Sequence, residues 1–314
     1  MTREATPSSH GDVTYGAAAS VHAAGPMQAL ASRAAGENFP VALRVLPRGH
    51  RRHLMAVYRF ARLVDDTGDE VPGDRLRALE EIEQDLDRAF SSGAIPKLEV
   101  IQELARTVAE CAIPAQPFRM LIQANRQDQT VSRYASFDEL LGYCRLSANP
   151  VGRIVLRVFG AATPERERLA DLVCTALQLA EHWQDVAEDF ARDRIYLPQE
   201  DMTAFGCTED DLARAVRAAP RSLPPQVRTL LRFETERAGR LLAEGAALTG
   251  TLGGWARLAV AGYVAGGRAT LAAIARGGVS GPDARDGFDV FGTTPRPGRA
   301  RTAAELARAY LTGR

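Results

Sequence analysis

Two pairs of aspartates carry the clearest chemical signal in the sequence. Asp65 and Asp69 lie four residues apart. Asp185 and Asp189 have the same spacing, so each pair would project from successive turns of a helix in one direction. Mg²⁺ prefers oxygen ligands and is usually held by one or two carboxylates, water and the oxygens of a bound phosphate. Two helices that face each other through these pairs would form an oxygen-lined box for Mg²⁺ ions and a diphosphate.

Arginines close to these acids could supply the positive charge that a diphosphate requires. Arg62, Arg192 and Arg194 lie about one turn before or after the aspartates. A guanidinium offers a planar set of donors that fits phosphate oxygens. Arg62 and Arg194 are therefore predicted to contact the diphosphate, whereas an ion pair on the helix surface is an equally good interpretation of Arg192.

The segment that carries the first pair is predicted to be a buried helix. In residues 53–70 the apolar side chains are spread around the whole helical wheel, which is typical of a helix enclosed by protein. One narrow arc of this helix is polar and carries Tyr58, Arg62, Asp65 and Asp69, with Asp66 beside them. Because unpaired buried carboxylates are very costly, this arc is expected to line a cavity that supplies water, metal or cationic partners.

The second pair lies in a segment predicted to form one helix from Pro164 to about Phe190. An apolar stripe runs along one side of it. The opposite side carries Gln178, Glu181, His182, Asp185 and Asp189. Taken alone, that side is more typical of a solvated helix surface, and only the matching acidic arc in residues 53–70 favours a functional interpretation.

The rest of the sequence predicts an all-α protein. Between about residues 33 and 278, apolar residues recur at helical spacing, and turn-forming residues divide the chain into about ten helices. No linker rich in Pro, Gly or Ser interrupts the middle of the 314 residues, which favours one large domain. Residues 1–34 are expected to be a disordered lead.

Charge, cysteine spacing and the length of the apolar stretches argue against a nucleic-acid-binding protein, a cysteine metal site and a membrane-spanning protein. The 39 Lys and Arg balance 39 Asp and Glu, so no net field would attract nucleic acid. The four cysteines lack metal-binding spacing and are interpreted as buried thiols in a reducing compartment. Arg257 and Arg268 bracket the longest apolar stretch, so no membrane span is expected. A cytoplasmic protein, or one peripheral to the inner face of the membrane, is predicted.

Two rival kinds of active site do not fit the sequence. A di-iron site in a helical bundle requires Glu-x-x-His on two helices, and none of the five histidines has a glutamate three residues before it. A serine hydrolase of the G-x-S-x-G type lacks both that motif and a sheet to carry it. The diphosphate interpretation is the one that remains.

These motifs resemble those of the squalene/phytoene synthases. DDTGD at Asp65–Asp69 is similar to the first aspartate-rich motif of that family, and QLAEHWQDVAEDFARDRIYLP at Gln178–Pro198 is similar to the second. ENFPVALRVLP, SANPVGRIVL and WQDV resemble the hydroxysqualene synthase branch of bacterial hopanoid biosynthesis. The resemblance implies a single-domain isoprenoid-synthase helical bundle with a central cavity, formed by residues 35–298 and followed by a helical tail at 299–314.

By position, the resemblance also implies the roles of individual residues. Mg²⁺ would be bound by the acids of both motifs, Asp65, Asp66, Asp69, Asp185 and Asp189. The diphosphate would be held or oriented by Arg62, Arg194 and Tyr58, and Gln178 would assist the network of metal and phosphate. The path of the carbocation would be lined by Phe39 and Tyr143.

Two positions depart from the pattern typical of the wider family. Glu181 stands where the family usually has Asn, and a further carboxylate there could join the metal cluster or disturb it. Gln184 stands where squalene and phytoene synthases usually have Arg. A neutral amide can hold water by hydrogen bonds, so Gln184 is predicted to position the water that captures the carbocation.

The reaction implied by the resemblance is the Mg²⁺-dependent ionisation of presqualene diphosphate, followed by capture of water to give hydroxysqualene. No NADPH would be needed, and an enzyme that makes presqualene diphosphate would be a functional partner. Condensation of farnesyl diphosphate to presqualene diphosphate or squalene is the alternative. A non-catalytic protein that binds prenyl diphosphate or serves in assembly is a second alternative, although it would have no reason to retain both aspartate pairs.

Overall fold

The computed structural model describes residues 45–217, 223–277, 290–291 and 295–313. Within these ranges there are fourteen helices and one isolated parallel bridge, between Arg133 and Ile195. The helices are α1 (Arg48–Asp69), α2 (Arg75–Phe90), α3 (Glu99–Cys111), α4 (Gln116–Gln127), α5 (Phe137–Ser147), α6 (Asn149–Val158), α7 (Pro164–Gln184), α8 (Val186–Ala191), α9 (Gln199–Ala204), α10 (Glu209–Arg217), α11 (Pro225–Gly245), α12 (Leu248–Thr251), α13 (Gly254–Arg276) and α14 (Arg299–Thr312). The all-α prediction is confirmed, and the helices exceed the ten expected partly because α8, α9 and α12 have six residues or fewer.

Some sequence predictions fall outside the described residues. Contacts divide the chain into Met1–Gly36 and Glu37–Arg314, and every described residue belongs to the second unit. The lead predicted at residues 1–34 and the predicted substrate contact Phe39 therefore lie outside them. The predicted tail contains α14, which packs against α13, and the domain boundaries stay predictions.

Polar side chains fix the starts of several helices. Asp74 accepts a hydrogen bond from the backbone N–H of Arg77 at the start of α2, 3.0 Å long. At the start of α5, the Ser136 hydroxyl accepts from the Glu139 N–H at 3.3 Å, and the Glu139 carboxylate accepts from the Ala135 N–H at 2.8 Å. These bonds satisfy backbone donors that a helix start leaves without partners.

The helix predicted from Pro164 to about Phe190 is interrupted at Asp185. The helix α7 ends at Gln184 and α8 begins at Val186, while Asp185 has φ −104° and ψ 14°. The Asp189 N–H still donates to the Asp185 carbonyl at 2.9 Å, as it would within a helical turn. The two acids therefore keep their one-turn spacing across the break.

Two apolar clusters build the core. One is formed mainly by α1 to α4 with part of α6, and the other by α5 and the helices from α7 to α14. Long helices dominate the second cluster, in which α7 packs against α6, α11 and α13. Trp183 is fully buried in it. The helices α1, α6, α7 and α13 leave a cavity between the two clusters.

Helix α13 is the one helix in the described part of the chain that is long and apolar enough to cross a membrane. Its most apolar stretch is 72% buried within the protein, as in a core helix.

The burial of the cysteines differs in part from the prediction that all four are buried thiols. Cys144 and Cys207 are buried thiols, whereas Cys111 and Cys174 are only partly buried, and Cys174 lines the cavity.

Helix α11 carries a buried acid that does not line the cavity between the two apolar clusters. Glu234 is fully buried, and its Oε2 has no hydrogen-bond partner. Arg237 is 3.4 Å away but directs two shorter bonds, of 2.8 and 3.1 Å, to Asp201. Burial raises the pKa of Glu234 to about 8, and the positive charge of Arg237 opposes this shift only in part.

Glu234→Gln is expected to remove a pH dependence of stability. The unfolded carboxyl ionises near 4.5, whereas the folded one keeps its proton until about pH 8. The folded protein therefore binds more protons between these values, and its free energy of unfolding falls as pH rises, by up to about 1.4 kcal/mol per pH unit. Glutamine resembles the neutral carboxyl, so the variant should lack this fall.

The measurement is denaturant unfolding of wild type and Glu234→Gln at several pH values from 5 to 8. Glu236→Gln is the matched control, because Glu236 is exposed on the same helix. If the stability of Glu234→Gln falls with pH as steeply as that of wild type, Glu234 does not have the raised pKa that causes the fall.

Candidate active site

The first group of acids lies on the last two turns of α1. Asp65 accepts a hydrogen bond from Nδ2 of Asn125 on α4, 3.1 Å long. Burial raises the pKa of Asp65 to about 6, although this bond opposes the shift. Asp66 pairs with Arg62 one turn earlier, and Asp69 is the most exposed of the three acids. All three acids and Arg62 line a cavity of about 460 Å³, here called the outer cavity. Asp65 and Asp69 also line a second cavity, which Asp66 does not.

A glycine makes the contact between Asp65 and Asn125 possible. Gly68 lies within the DDTGD motif, where α1 passes close to α4. A Cβ atom at this position would overlap Oδ1 of Asn125. The amide of Asn125 can reach Asp65 because residue 68 has no side chain.

The second group of acids lies at the break between α7 and α8. Burial raises the pKa of Asp185 to about 6, and the neighbouring Glu188 adds to the shift. Burial also raises the pKa of Asp189 to about 7, with a further contribution from Asp185. Desolvated carboxylates of this kind favour the binding of cations, because a cation restores the charge stabilisation that water would give.

Both groups line one cavity of about 280 Å³, here called the acid cavity. Its acidic lining residues are Asp65, Asp69, Asp128, Glu181, Asp185 and Asp189. The two aspartate pairs therefore face a common space, as their spacing predicts. Among the described residues, Arg192 and Arg194 also line it, so the described acids outnumber the described arginines there.

Arg194 connects the two sides of the site. Its Nη2 donates to Oδ1 of Asp69 at 3.0 Å, and the guanidinium comes from the chain that follows α8. Arg192 lines both the acid cavity and the outer cavity. Arg62 pairs with Asp66 and lines the outer cavity. It also lines a third, mostly apolar cavity, which is described below. All three arginines thus line the outer cavity together with the acids of α1.

The donors of the acid cavity suit Mg²⁺, because six carboxylates line it and the one imidazole among its described lining residues, His182, is stacked on Tyr196. Oδ1 of Asp128 is also buried there without a hydrogen-bond partner. Among the described residues, no three His, Cys, Asp or Glu side chains converge closely enough to hold a metal by themselves. The site therefore suits ions whose coordination is completed by water and by a phosphate ligand.

Sequence reasoning missed Asp128, which follows α4. The Tyr143 hydroxyl donates to its Oδ2 at 2.8 Å, and burial raises the pKa of Asp128 to about 6. Asn125 and Asp128 are three residues apart and thus share one side of the end of α4. That spacing, beside the apolar residues of the same helix, was the signal available in the sequence.

Aromatic side chains close one side of the acid cavity. Tyr196 stacks on His182 with the ring centroids 3.7 Å apart, and Tyr143 lies 5.7 Å from Tyr196. Burial lowers the pKa of His182 to about 3, so its imidazole is neutral at physiological pH. Gln178 also lines the cavity, with its Nε2 3.3 Å from Nε2 of His182. Tyr143 and Gln178 therefore both line the acid cavity.

A third cavity, of about 390 Å³, adjoins the acid cavity and is here called the apolar cavity. Most of its lining is apolar and comes from α1, α6, α7, α12 and α13. Tyr58 and Arg62 contribute from α1, so Tyr58 faces the apolar cavity. Gly152 and Cys174 form part of the wall, where a Cβ on Gly152 would lie 2.6 Å from the Cys174 sulfur. A long hydrocarbon chain suits this lining.

Two predicted site residues in the described part of the chain, Asp66 and Gln184, line neither the acid cavity nor the apolar cavity. Asp66 lines the outer cavity, whereas Gln184 is enclosed by protein and 3% exposed. Gln184 is the last residue of α7, and the neighbouring Asp185 is the one that faces the acid cavity. The interaction with water predicted for Gln184 stays a prediction.

Comparisons with known proteins agree with this architecture. The family profile described as squalene/phytoene synthase matches residues 32–283. A hydroxysqualene synthase of Zymomonas mobilis subsp. mobilis is 37% identical over 188 residues, which are 59% of this chain and 62% of that protein. The alignment thus spans less than two thirds of the relative's length.

Solved structures show the same fold. The crystal structure of squalene synthase HpnC from Alicyclobacillus acidocaldarius is 45% identical with a TM-score of 0.67, covering 74% of this chain and 86% of that one. A dehydrosqualene synthase solved with a ligand has a TM-score of 0.76 at 23% identity, covering 91% of this chain and 96% of that one. The second similarity bears on the fold alone.

Proposed function

Because this chain belongs to the squalene/phytoene synthase family, we propose that it converts presqualene diphosphate to hydroxysqualene in an Mg²⁺-dependent reaction. The observation that carries the proposal is the junction of an acid cavity, lined by both aspartate pairs, with an apolar cavity. The first suits a diphosphate with its metal ions, and the second suits the prenyl chains. The hydroxysqualene synthase and the squalene synthase HpnC among the similar proteins support the choice of reaction.

The residues at the site have distinct tasks in this reaction. Asp65, Asp69, Asp185 and Asp189 would hold Mg²⁺, which when bound stabilises the charge that develops on the departing diphosphate. Arg194 would contact the diphosphate oxygens as a further positive charge. Tyr143, Tyr196 and His182 form the aromatic wall of the acid cavity, where their ring faces could stabilise a nearby carbocation.

The apolar cavity would keep the ionised chain away from bulk water. Its wall of aliphatic side chains excludes water from most of the hydrocarbon, so that capture by water occurs at one carbon. No nicotinamide takes part in the proposed reaction, because the carbocation ends as an alcohol and is not reduced. Presqualene diphosphate would have to come from an enzyme that condenses two farnesyl diphosphates, which we propose as the functional partner.

A cytoplasmic protein with peripheral contact to the membrane fits such apolar substrates and products. Trp255 at the start of α13 and Tyr310 near the end of α14 are both exposed. The guanidinium of Arg257 lies 5.2 Å from the Tyr310 ring. Exposed aromatic side chains, one of them beside an Arg, are suited to a membrane interface.

Incubation of the purified protein with presqualene diphosphate and Mg²⁺, without NADPH, tests the proposed function. We expect a C30 alcohol whose oxygen comes from solvent water, and loss of activity when EDTA removes the metal. Farnesyl diphosphate is tested in parallel. Formation of presqualene diphosphate or squalene from it, with no alcohol from presqualene diphosphate, would favour the condensing enzyme instead.

A further inference from the structure

The acid cavity and the apolar cavity share two carboxylates. Asp65 on α1 and Glu181 on α7 each line both spaces. They therefore mark the boundary between the place suited to a diphosphate and the place suited to a hydrocarbon chain. Asp65 is fixed toward the acid side by its 3.1 Å bond to Asn125.

The position of Glu181 follows from the order of residues on one face of α7. Cys174 and Leu177 precede it by about two turns and one turn, and both line the apolar cavity. Asp185 follows it by one turn and lines the acid cavity. Glu181 thus stands at the point where this face changes from apolar to acidic.

The proposed reaction places positive charge at this boundary. When presqualene diphosphate ionises, the diphosphate stays with the acids, and the cationic carbon belongs to the chain in the apolar cavity. A carboxylate at the junction can attract the carbocation and accept a hydrogen bond from a water molecule beside it. Among the described residues, Glu181 lines both cavities, whereas Gln184 is not in the lining of either.

We propose that Glu181 positions the water that captures the carbocation and thereby determines that the product is an alcohol. This role rests on the proposed function. A lone pair of the water oxygen forms the new C–O bond with the cationic carbon. One O–H bond of that water then breaks, and its proton passes to the released diphosphate, so presqualene diphosphate and water give hydroxysqualene and diphosphate.

Glu181→Gln tests the proposal, because it keeps the shape of the side chain and removes the charge. The protein is incubated with presqualene diphosphate and Mg²⁺ in water enriched in oxygen-18. Alcohol, hydrocarbon products and released diphosphate are each quantified, and the Mg²⁺ concentration for half-maximal rate is measured. Glu165→Gln is the matched control, because it makes the same change at an exposed position of the same helix.

We expect the ratio of labelled alcohol to hydrocarbon to fall about tenfold in Glu181→Gln, a larger loss than that of diphosphate release. The ratio should be unchanged in Glu165→Gln. An unchanged or increased alcohol ratio in Glu181→Gln would overturn the proposal. A higher Mg²⁺ requirement with an unchanged ratio would also overturn it, since Glu181 would then be a metal ligand.

The wild-type protein separates this proposal from the proposed function. If it makes the alcohol and the variant makes it in the same ratio, only the role of Glu181 fails. If wild type releases diphosphate and forms hydrocarbon alone, both the proposed function and this role fail.

Discussion

Asp189→Asn is expected to lower turnover of presqualene diphosphate by at least about a hundredfold while leaving the fold intact. Asp189 faces the acid cavity from α8, and its pKa is raised to about 7 by burial beside Asp185. The amide keeps the size of the side chain but removes the negative charge that would hold Mg²⁺. The free energy of unfolding should not fall, because a desolvated carboxylate is being replaced by a neutral group.

The check combines steady-state kinetics with a denaturation curve for each protein. Asp210→Asn provides the control, because Asp210 is an exposed acid on α10 that is not in the described lining of either cavity. Wild-type turnover by a folded Asp189→Asn protein would show that the acids of α8 form only a solvated helix surface. The sequence left that interpretation open.

Arg194→Gln is expected to reduce kcat/KM by about a hundredfold, with Arg194→Lys recovering part of the loss. Arg194 donates to Asp69 and lines both the acid cavity and the outer cavity. Its removal takes a positive charge from the diphosphate and also leaves Asp69 without this donor. Lysine restores the charge but not the planar pair of donors.

Arg119→Gln is a suitable control for this change, since Arg119 pairs with Asp87 at 2.7 Å on the surface. Kinetics with presqualene diphosphate should be paired with binding of inorganic diphosphate in the presence of Mg²⁺. If Arg194→Gln binds diphosphate and turns over as wild type does, Arg194 serves the structure alone.

The sequence predicts well those parts of the site that depend on a single helix. The i, i+4 spacing of Asp65 and Asp69 is a local property, and it survives folding because α1 is a continuous helix. Asp185 and Asp189 also keep this relation, although α7 ends between Gln184 and Val186. Their convergence on one cavity was predictable only because a matching pair existed elsewhere in the chain.

The other parts of the site depend on how helices pack against one another, and the spacing of residues within one helix does not predict such packing. Asp128 enters the acid cavity because α4 packs beside α1, and no spacing relates it to the aspartate motifs. The role predicted for Gln184 came from the resemblance to the family, because Gln184 is not among the residues on the polar side of the predicted helix. The break at Asp185 and the packing of the end of α7 enclose Gln184 in protein, and periodicity does not report such an enclosure.

The glycine of DDTGD has a consequence for engineering this protein. Libraries aimed at new prenyl substrates would vary the walls of the apolar cavity and leave the aspartates untouched. Gly68 belongs with the protected positions, although it has no functional group, because any side chain there displaces Asn125 and through it Asp65. A motif recognised by its acids therefore also encodes the distance between two helices, and a designer who kept only the charges would lose the geometry.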